Sequence, residues 1–118
     1  MDKYADGLLA EFNAMKLMES KGYEIVARNV NYPKVGELDL VCKRGFTLVI
    51  VEVKYRSTSE MGDPIESVNK RKISKIIKAT ERFIAEKGYN NYEIRFDIIA
   101  DRDGIQEHIE DAFYGYWN

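Results

Sequence analysis

The segment at residues 47–55 constrains the fold of this 118-residue chain more than any other. Residues 48–51 and Val53 are apolar at successive positions, and successive side chains of a strand point to opposite faces of the sheet. A strand that is apolar on both faces is typically a central strand covered by helices on both sides. Glu52 and Lys54 place two charges at the end of this run, where a charge without a partner is costly. The run therefore predicts an α/β fold and makes these two residues functional candidates.

Helical patterns lie on both sides of this strand along the chain. Apolar residues recur at helical spacing over residues 4–21, and Gly22 follows as a helix-ending glycine. A second apolar stripe lies within residues 73–84, with Asp63 as the predicted N-cap of that helix and Asn69 as an alternative start.

Four further strands are predicted from alternating or apolar patterns. They cover residues 23–28, 37–42, 92–100 and 105–109. Residues 29–33 have the composition of a loop, Arg44 and Gly45 form a tight turn, and residues 101–104 form another. The elements follow the order α-β-β-β-α-β-β in one predicted domain, residues 1–118.

Composition excludes several classes of protein. Apolar residues make up 45% and charged residues 32%, which is a globular balance. No apolar run approaches the roughly 20 residues that cross a bilayer, and residues 1–10 carry charges instead of a signal-peptide core. A cytoplasmic location without membrane contact is therefore expected. The lone Cys42 lies in an alternating apolar stretch, which favours core packing over a thiol nucleophile.

Charge is unevenly distributed along the chain. The net charge of −2 argues against a protein that coats DNA through bulk positive charge. Residues 70–82, however, contain six basic residues and one acid. Lys75, Lys78 and Arg82 recur near one helical face, so they form either a phosphate-contacting surface or a solvated helix face.

The charges near the central strand have the composition of a metal site. Mg²⁺ prefers oxygen ligands, usually one or two carboxylates with waters and phosphate oxygens. Asp39 and Glu52 lie on neighbouring predicted strands, and a turn at Arg44 and Gly45 sets a register that places both on one sheet face. Lys54 projects on that face, where an ammonium could orient a water molecule or stabilise a transition state.

The same charges also allow a structural interpretation. Glu-x-Lys is common on amphipathic strands, and either Glu52 or Asp39 could form a structural ion pair with Lys54. The position of the charges at the end of an apolar run favours chemistry. In that case Glu11, at the border of the apolar face of the first helix, could reach in as an additional metal ligand.

The sequence around these residues resembles a known family. Residues 36–41 and 48–57 resemble the YraN-like family of uncharacterised predicted endonucleases, which have the restriction-endonuclease-like fold and are related to archaeal Holliday junction resolvases. The resemblance extends in order over nearly the whole chain and includes Asp97 and His108. His108 is expected to pack or form hydrogen bonds, whereas Asp97 is either a strand-edge acid or a partner for the neighbours of Arg95.

The resemblance implies a mixed central sheet flanked by helices and a nuclease site of the PD-(D/E)xK type. Asp39, Glu52 and Lys54 match that motif. Glu11 matches the helix glutamate of resolvases, and the backbone carbonyl of Val53 is implied as a further metal ligand.

These observations predict an Mg²⁺-dependent endonuclease, with Mn²⁺ as the alternative metal, acting on branched or otherwise structured DNA in replication, recombination or repair. The predicted nucleic-acid contacts are Lys72, Lys75, Lys78, Arg82 and Arg56. One alternative is a catalytically silent nucleic-acid-binding module. Another is a nuclease subunit that is active only with a protein partner.

A homodimer is also predicted, because resolvase-like relatives cut two strands symmetrically as dimers. Two apolar surfaces could form its interface, although both could instead be covered within one monomer. They are the strand that ends at Ala100 and the aromatic tail of Phe113, Tyr114, Tyr116 and Trp117.

Overall fold

A five-stranded sheet with a helix on each face is the centre of the structure, a computed structural model that describes residues 3–56 and 68–113. The elements in chain order are α1 (Lys3–Ser20), β1 (Glu24–Tyr32), β2 (Gly36–Arg44), β3 (Thr47–Arg56), α2 (Lys70–Lys87), β4 (Glu93–Arg102) and β5 (Ile105–Phe113). The predicted α/β class and the order α-β-β-β-α-β-β are confirmed. Of the helices in the described ranges, neither is long and apolar enough to span a membrane.

Strand β3 is the central strand, as its sequence predicts. The strands lie in the order β1-β2-β3-β4-β5, and all neighbours are antiparallel except β3 and β4, which are parallel. Val49 shares a buried cluster with Met18 of α1 on one face of the sheet. Leu48 shares a second cluster with Ile76 of α2 on the other face. The apolar run is therefore covered on both sides by helices.

Cys42 is completely buried in the cluster between the sheet and α1. Burial raises the pKa of its thiol to about 12, so the thiol stays protonated at neutral pH. Core packing is confirmed, since a buried and protonated thiol is a poor nucleophile.

The hairpin between β2 and β3 turns one residue later than predicted. Arg44 pairs with Thr47, so the two turn residues are Gly45 and Phe46. Gly45 has a φ of 60°, a conformation that glycine adopts readily at the first position of a tight hairpin turn. The turn still contains two residues, so the pairing shifts by a whole residue pair. Asp39 and Glu52 therefore lie on the same sheet face, as predicted.

The predicted loop at residues 29–33 is wrong over most of its length, because β1 continues to Tyr32. Val30 pairs with Leu38 and Tyr32 pairs with Gly36. Pairing with β2 overrides the polar composition of this stretch. Asn29 departs from the usual strand geometry with a φ of 51°.

Strand β5 ends at Phe113, beyond the predicted end at residue 109. Phe113 pairs with Phe96 after a register shift, and their rings stack at 5.1 Å. Ala100 is only 2% exposed, and β4 pairs with β3 on one edge and with β5 on the other, so neither edge of this strand is free for a dimer contact. The remaining residues of the predicted aromatic tail, Tyr114, Tyr116 and Trp117, lie outside the described residues.

The last turn is shorter than predicted and consists of Asp103 and Gly104. Their φ values are 51° and 92°, the two positive values that a type I′ hairpin turn requires. The Asp101 side chain accepts a hydrogen bond from the Gly104 N–H at 2.8 Å, which stabilises the turn.

Asn69 begins α2, as the alternative helix start predicts. Its side-chain oxygen accepts a hydrogen bond from the Lys72 N–H at 2.9 Å. Gly88 ends the helix with a φ of 79°. The other predicted start, Asp63, lies outside the described residues.

Gly36 lets the start of β2 approach the backbone of α2. A Cβ atom at Gly36 would lie 2.5 Å from the carbonyl oxygen of Lys75, a separation that side chains do not tolerate. The absence of a side chain at Gly36 therefore allows the turn after β1 to lie close to the first turns of α2.

Asp97 is a fully buried acid whose partners join β4 to β5. It accepts two hydrogen bonds from Arg95, at 2.9 and 2.8 Å, one from the Asp111 N–H at 3.0 Å, and one from His108 Nε2 at 2.7 Å. Burial alone would raise the pKa of Asp97, yet hydrogen bonds from Arg95, Asp111 and His108 hold it below the ordinary value.

Lys21, after α1, approaches His108 Nδ1 at 2.7 Å. The expected hydrogen-bonding role of His108 is confirmed, and Asp97 is a structural partner of Arg95 itself.

Replacing Gly36 by Ala should destabilise the protein by about 2 kcal/mol, because the new methyl group would meet backbone of α2 that cannot rotate away. Gly7→Ala is the matched control. No atom lies within 4 Å of a Cβ at Gly7, so this change in α1 should stabilise by about 0.7 kcal/mol. Urea unfolding of both variants measures the two effects, and equal signs would contradict the close approach.

Asp97→Asn should destabilise the protein by about 3 kcal/mol at neutral pH, because the partly buried guanidinium of Arg95 loses its nearest charged partner and a fully buried hydrogen-bond network is weakened. An acid with a lowered pKa stabilises the fold above its unfolded value near 4 and loses that contribution as pH falls further. The difference between wild type and variant in urea should therefore shrink below about pH 4. Glu110→Gln, which removes an exposed acid 3.6 Å from the same arginine, should cost less than about 0.5 kcal/mol.

Candidate functional site

Asp39 and Glu52 face each other from β2 and β3. The ladder pairs Leu40 with Val51, and continuing that register by one residue puts Asp39 opposite Glu52. Both side chains lie on the face that α2 covers, since Ile50 of the same strand face packs in that cluster. The structure thus brings the two carboxylates together on one face, as predicted. Their direct facing follows from the shifted turn, since a turn at Arg44 and Gly45 would have put Asp39 opposite Ile50.

Asp39 is partly buried beside this second acid. Burial raises its pKa, the charge of Glu52 raises it further, and a hydrogen bond from the Val53 N–H opposes the rise, which leaves the pKa at about 7. The hydrogen bond joins Val53 N and Asp39 Oδ2 at 2.9 Å. Asp39 is therefore partly protonated near neutral pH, and a cation bound beside it would favour its charged form.

Two lysines converge on Glu52. The Nζ atom of Lys72 lies 2.6 Å from Glu52 Oε1, and that of Lys54 lies 3.6 Å from the same oxygen. The Glu52 side chain is only 7% exposed, so the lysines replace the water that would otherwise solvate it. The structural Glu52 to Lys54 ion pair considered from the sequence is thus present as the longer of two contacts.

The sequence places Lys72 among the DNA contacts and gives no sign that it reaches Glu52. An N-cap at Asn69 puts Lys72 at the third helical position, but the contact depends on where α2 packs against the sheet. No local pattern carries that information, because the two residues belong to different elements.

The environments of the two lysines shift their pKa values in opposite directions. Burial lowers the pKa of Lys54, and the neighbouring Lys72 lowers it further, against the opposing effect of Glu52. Burial also acts to lower the pKa of Lys72, but hydrogen bonding to Glu52 and Lys54 outweighs it and raises the value. Lys54 is therefore the lysine that releases its proton more readily.

A cavity of about 520 Å³ opens beside the carboxylate pair, between the turn after β1 and the first turns of α2. Its polar walls combine the facing pair and one further acid with four basic and two amide side chains. They are Asn31, Lys34, Glu37, Asp39, Glu52, Asn69, Arg71, Lys72 and Lys75. The carboxylates thus lie in a depression whose rim is largely basic.

The predicted basic surface of α2 is only partly associated with this cavity. Lys75 lines it, whereas Lys78 is exposed further along the helix. Arg82 forms an ion pair with Glu86 at 3.3 Å and lies 5.0 Å from the ring of Tyr32. A nearby acid therefore neutralises part of the positive charge of this helix.

The other predicted site residues lie on β3 and on α1. Arg56 ends β3 on the same strand face as Lys54. The Val53 N–H points to Asp39, and its carbonyl points to the same neighbouring strand. Glu11 belongs to α1, on the opposite face, yet its negative charge contributes to the raised pKa of Asp39. Its role as an additional ligand stays a prediction.

The donor set is of the kind that Mg²⁺ prefers, since this ion usually takes one or two carboxylates and completes its shell with water and substrate oxygens. Within residues 3–56 and 68–113, no three Asp, Glu, His or Cys side chains come together to hold a metal ion. Two carboxylates suffice for Mg²⁺, and the ammonium of Lys72 against Glu52 shows that this position accepts a cation.

Comparisons with known proteins agree on one family. A model of the family described as "Uncharacterised protein family UPF0102" matches residues 10–100. The chain is similar to a UPF0102 protein of Christiangramia forsetii, 41% identical over 112 residues and 92% of each chain. It is 37% identical over 113 residues to one of Sulfurihydrogenibium sp., covering 96% of this chain and 97% of that one. For one of Flavobacterium psychrophilum, identity is 37% over 120 residues, with 98% and 95% covered. These names assign no activity, so the chemistry rests on the site itself.

In the presence of a chelator, Asp39 should make stability depend on pH. An acid whose folded pKa is raised, here to about 7, stabilises the fold fully below its unfolded value near 4 and loses that contribution as pH rises through 7. Asp39→Asn lacks this titration, so wild type should lose about 2 kcal/mol relative to the variant between pH 4 and pH 8. Urea unfolding at each pH measures the difference. A constant difference would show that Asp39 titrates normally.

Proposed function

The chain belongs to the uncharacterised protein family UPF0102, and from the geometry of its acidic site we propose that it is an Mg²⁺-dependent endonuclease that hydrolyses DNA phosphodiesters. One observation carries this proposal. Two facing carboxylates and two lysines converge beside a cavity with a largely basic rim. Carboxylates suit a hard cation and basic walls suit a polyanion, so the site combines what phosphodiester hydrolysis requires.

Asp39 and Glu52 would hold the metal ion, together with the Val53 carbonyl. Mg²⁺ is the proposed ion and Mn²⁺ the alternative, because both accept oxygen ligands. When bound, the ion lowers the pKa of water and neutralises charge that develops on the phosphate. The raised pKa of Asp39 agrees with such a role, since the acid gains its full charge when a cation is present.

Lys54 would handle protons and orient the nucleophile. In hydrolysis the oxygen of water bonds to phosphorus, a P–O bond to deoxyribose breaks, and the leaving oxygen takes up a proton. Lys54 projects beside Glu52, its side chain is 18% exposed, and its pKa is lowered by burial. An ammonium in that environment can hydrogen-bond a phosphate oxygen or pass a proton at Nζ.

The rim of the cavity supports a nucleic-acid substrate. Lys34, Arg71 and Lys75 surround the acids, although the chain as a whole has a net charge of −2. Local positive charge on an acidic protein is typical of a surface that contacts phosphates at one place. Lys78, Arg82 and Arg56 would extend this contact along the DNA.

Branched DNA is the proposed substrate, on the resemblance to resolvases, and the cytoplasm is the proposed location. A homodimer or another protein partner would help so small a chain to grip a branched duplex. The exposed side chains of Leu8, Leu9 and Phe12 on α1 are available for such contacts.

The competing proposal is a nucleic-acid-binding module without catalysis. The 2.6 Å contact between Lys72 and Glu52 favours it, since a carboxylate satisfied by lysines can serve structure alone. The two proposals differ in one respect. Only a nuclease cuts DNA at a rate that falls when Glu52 loses its charge.

Cleavage assays on junction, flap, single-stranded and linear DNA, with and without Mg²⁺, test the proposal. Wild type should cut at least one of these DNAs only when Mg²⁺ is present. Glu52→Gln should lower the rate about 10³-fold and Lys54→Met about 10²-fold, because each removes a group that acts on the reacting phosphate.

Glu24→Gln is the matched control for these variants. Glu24 lies on β1, its side chain is 69% exposed, and its ion pair with Lys43 is 3.8 Å long. This variant should cut at the wild-type rate. Cutting that survives in Glu52→Gln would remove the site from the reaction, whereas DNA binding without any cutting would establish the silent module.

A further inference from the structure

We propose that Lys72 is a displaceable cation, which holds Glu52 while no metal ion is bound and moves to a DNA phosphate when a divalent cation binds. The inference rests on the proposed function, because it concerns the same carboxylate pair. Its starting point is the distance of 2.6 Å between Lys72 Nζ and Glu52 Oε1. An ammonium and a divalent cation that neutralise one carboxylate repel each other, so each weakens the binding of the other.

Lys72 can leave Glu52 more easily than Lys54 can. The Lys54 side chain is 18% exposed and comes from β3 itself, whereas the Lys72 side chain is 40% exposed and comes from the first turn of α2. A lysine carries its charge on a flexible four-carbon stem, so the ammonium can move without the helix.

The backbone around Lys72 is held in place. Its N–H donates to the Asn69 side chain at 2.9 Å, and one turn later the Lys75 carbonyl packs against Gly36. A cation on a fixed backbone and a flexible stem can exchange between two positions at little structural cost.

The cavity gives the displaced ammonium a destination. Arg71 and Lys75 line it together with Lys72. A phosphate bound between these residues would gain one more charged hydrogen bond when Lys72 turns away from Glu52. Metal binding and DNA binding would then strengthen each other through one side chain.

Calorimetry with Mn²⁺ on the full chain, without DNA, tests the first half of the exchange. Lys72→Met should bind Mn²⁺ about tenfold more tightly than wild type, because the competing ammonium is gone. Lys72→Arg should bind it more weakly than wild type, since a guanidinium holds a carboxylate through two parallel hydrogen bonds. Lys75→Met, the control from the same cavity, should change the affinity no more than about twofold. If Lys72→Met does not fold, Lys72→Arg still tests the exchange.

The salt dependence of junction binding tests the second half, with Ca²⁺ compared with EDTA. For wild type, Ca²⁺ should steepen the slope of log K against log salt by about one, because Lys72 becomes a phosphate contact. Lys72→Met should have one slope in both conditions. Lys75→Met should have a flatter slope than wild type in both but keep the change that Ca²⁺ produces.

The outcomes separate this inference from the proposed function. If neither wild type nor Lys72→Met binds Mn²⁺, the metal site fails and the exchange fails with it. If both bind with equal affinity, or Lys72→Met binds more weakly, the exchange alone is overturned and the metal site stands. A wild-type slope that Ca²⁺ leaves unchanged also overturns the exchange.

Discussion

Strand β3 packs against α1 through one face and against α2 through the other, so its side chains alternate between two buried clusters. That double cover keeps the strand apolar as far as Val51, beyond which lysine side chains cover the strand on the α2 side instead of apolar ones. Glu52 and Lys54 come at that point, on the α2 side. The core and the candidate site are therefore successive parts of one strand, and the packing of α2 determines both the burial of β3 and the surroundings of Glu52.

The buried acids Asp97 and Glu52 are neutralised in different ways. Asp97 accepts hydrogen bonds from Arg95 on β4 and from His108 on β5, and the pairing of these two strands holds both donors in place. Glu52, in contrast, is neutralised by two flexible lysines, while Asp39 beside it has a pKa near neutrality. Fixed donors produce a carboxylate that stabilises the fold. The proposed exchange of cations at Glu52 depends on the flexibility of its lysine partners.

Helix α2 connects stability to the proposed chemistry. Its apolar face covers Leu48 and Ile50, and its first turns bring Lys72 and Lys75 to the cavity. Gly36 sets the separation between this helix and the turn after β1. A change that shifts the helix would therefore alter core packing and the position of the cations together.

Sequence alone determined the order of elements, the central place of β3 and the sheet face that Asp39 and Glu52 share, because strand alternation and a two-residue hairpin turn are local properties. It failed where pairing between distant segments overrides composition, as in the continuation of β1 to Tyr32. Only the tertiary structure decided that Lys72 meets Glu52 at 2.6 Å. The position of that ammonium depends on how a helix packs on the sheet, and packing is a property of the whole apolar core that no short stretch of sequence encodes.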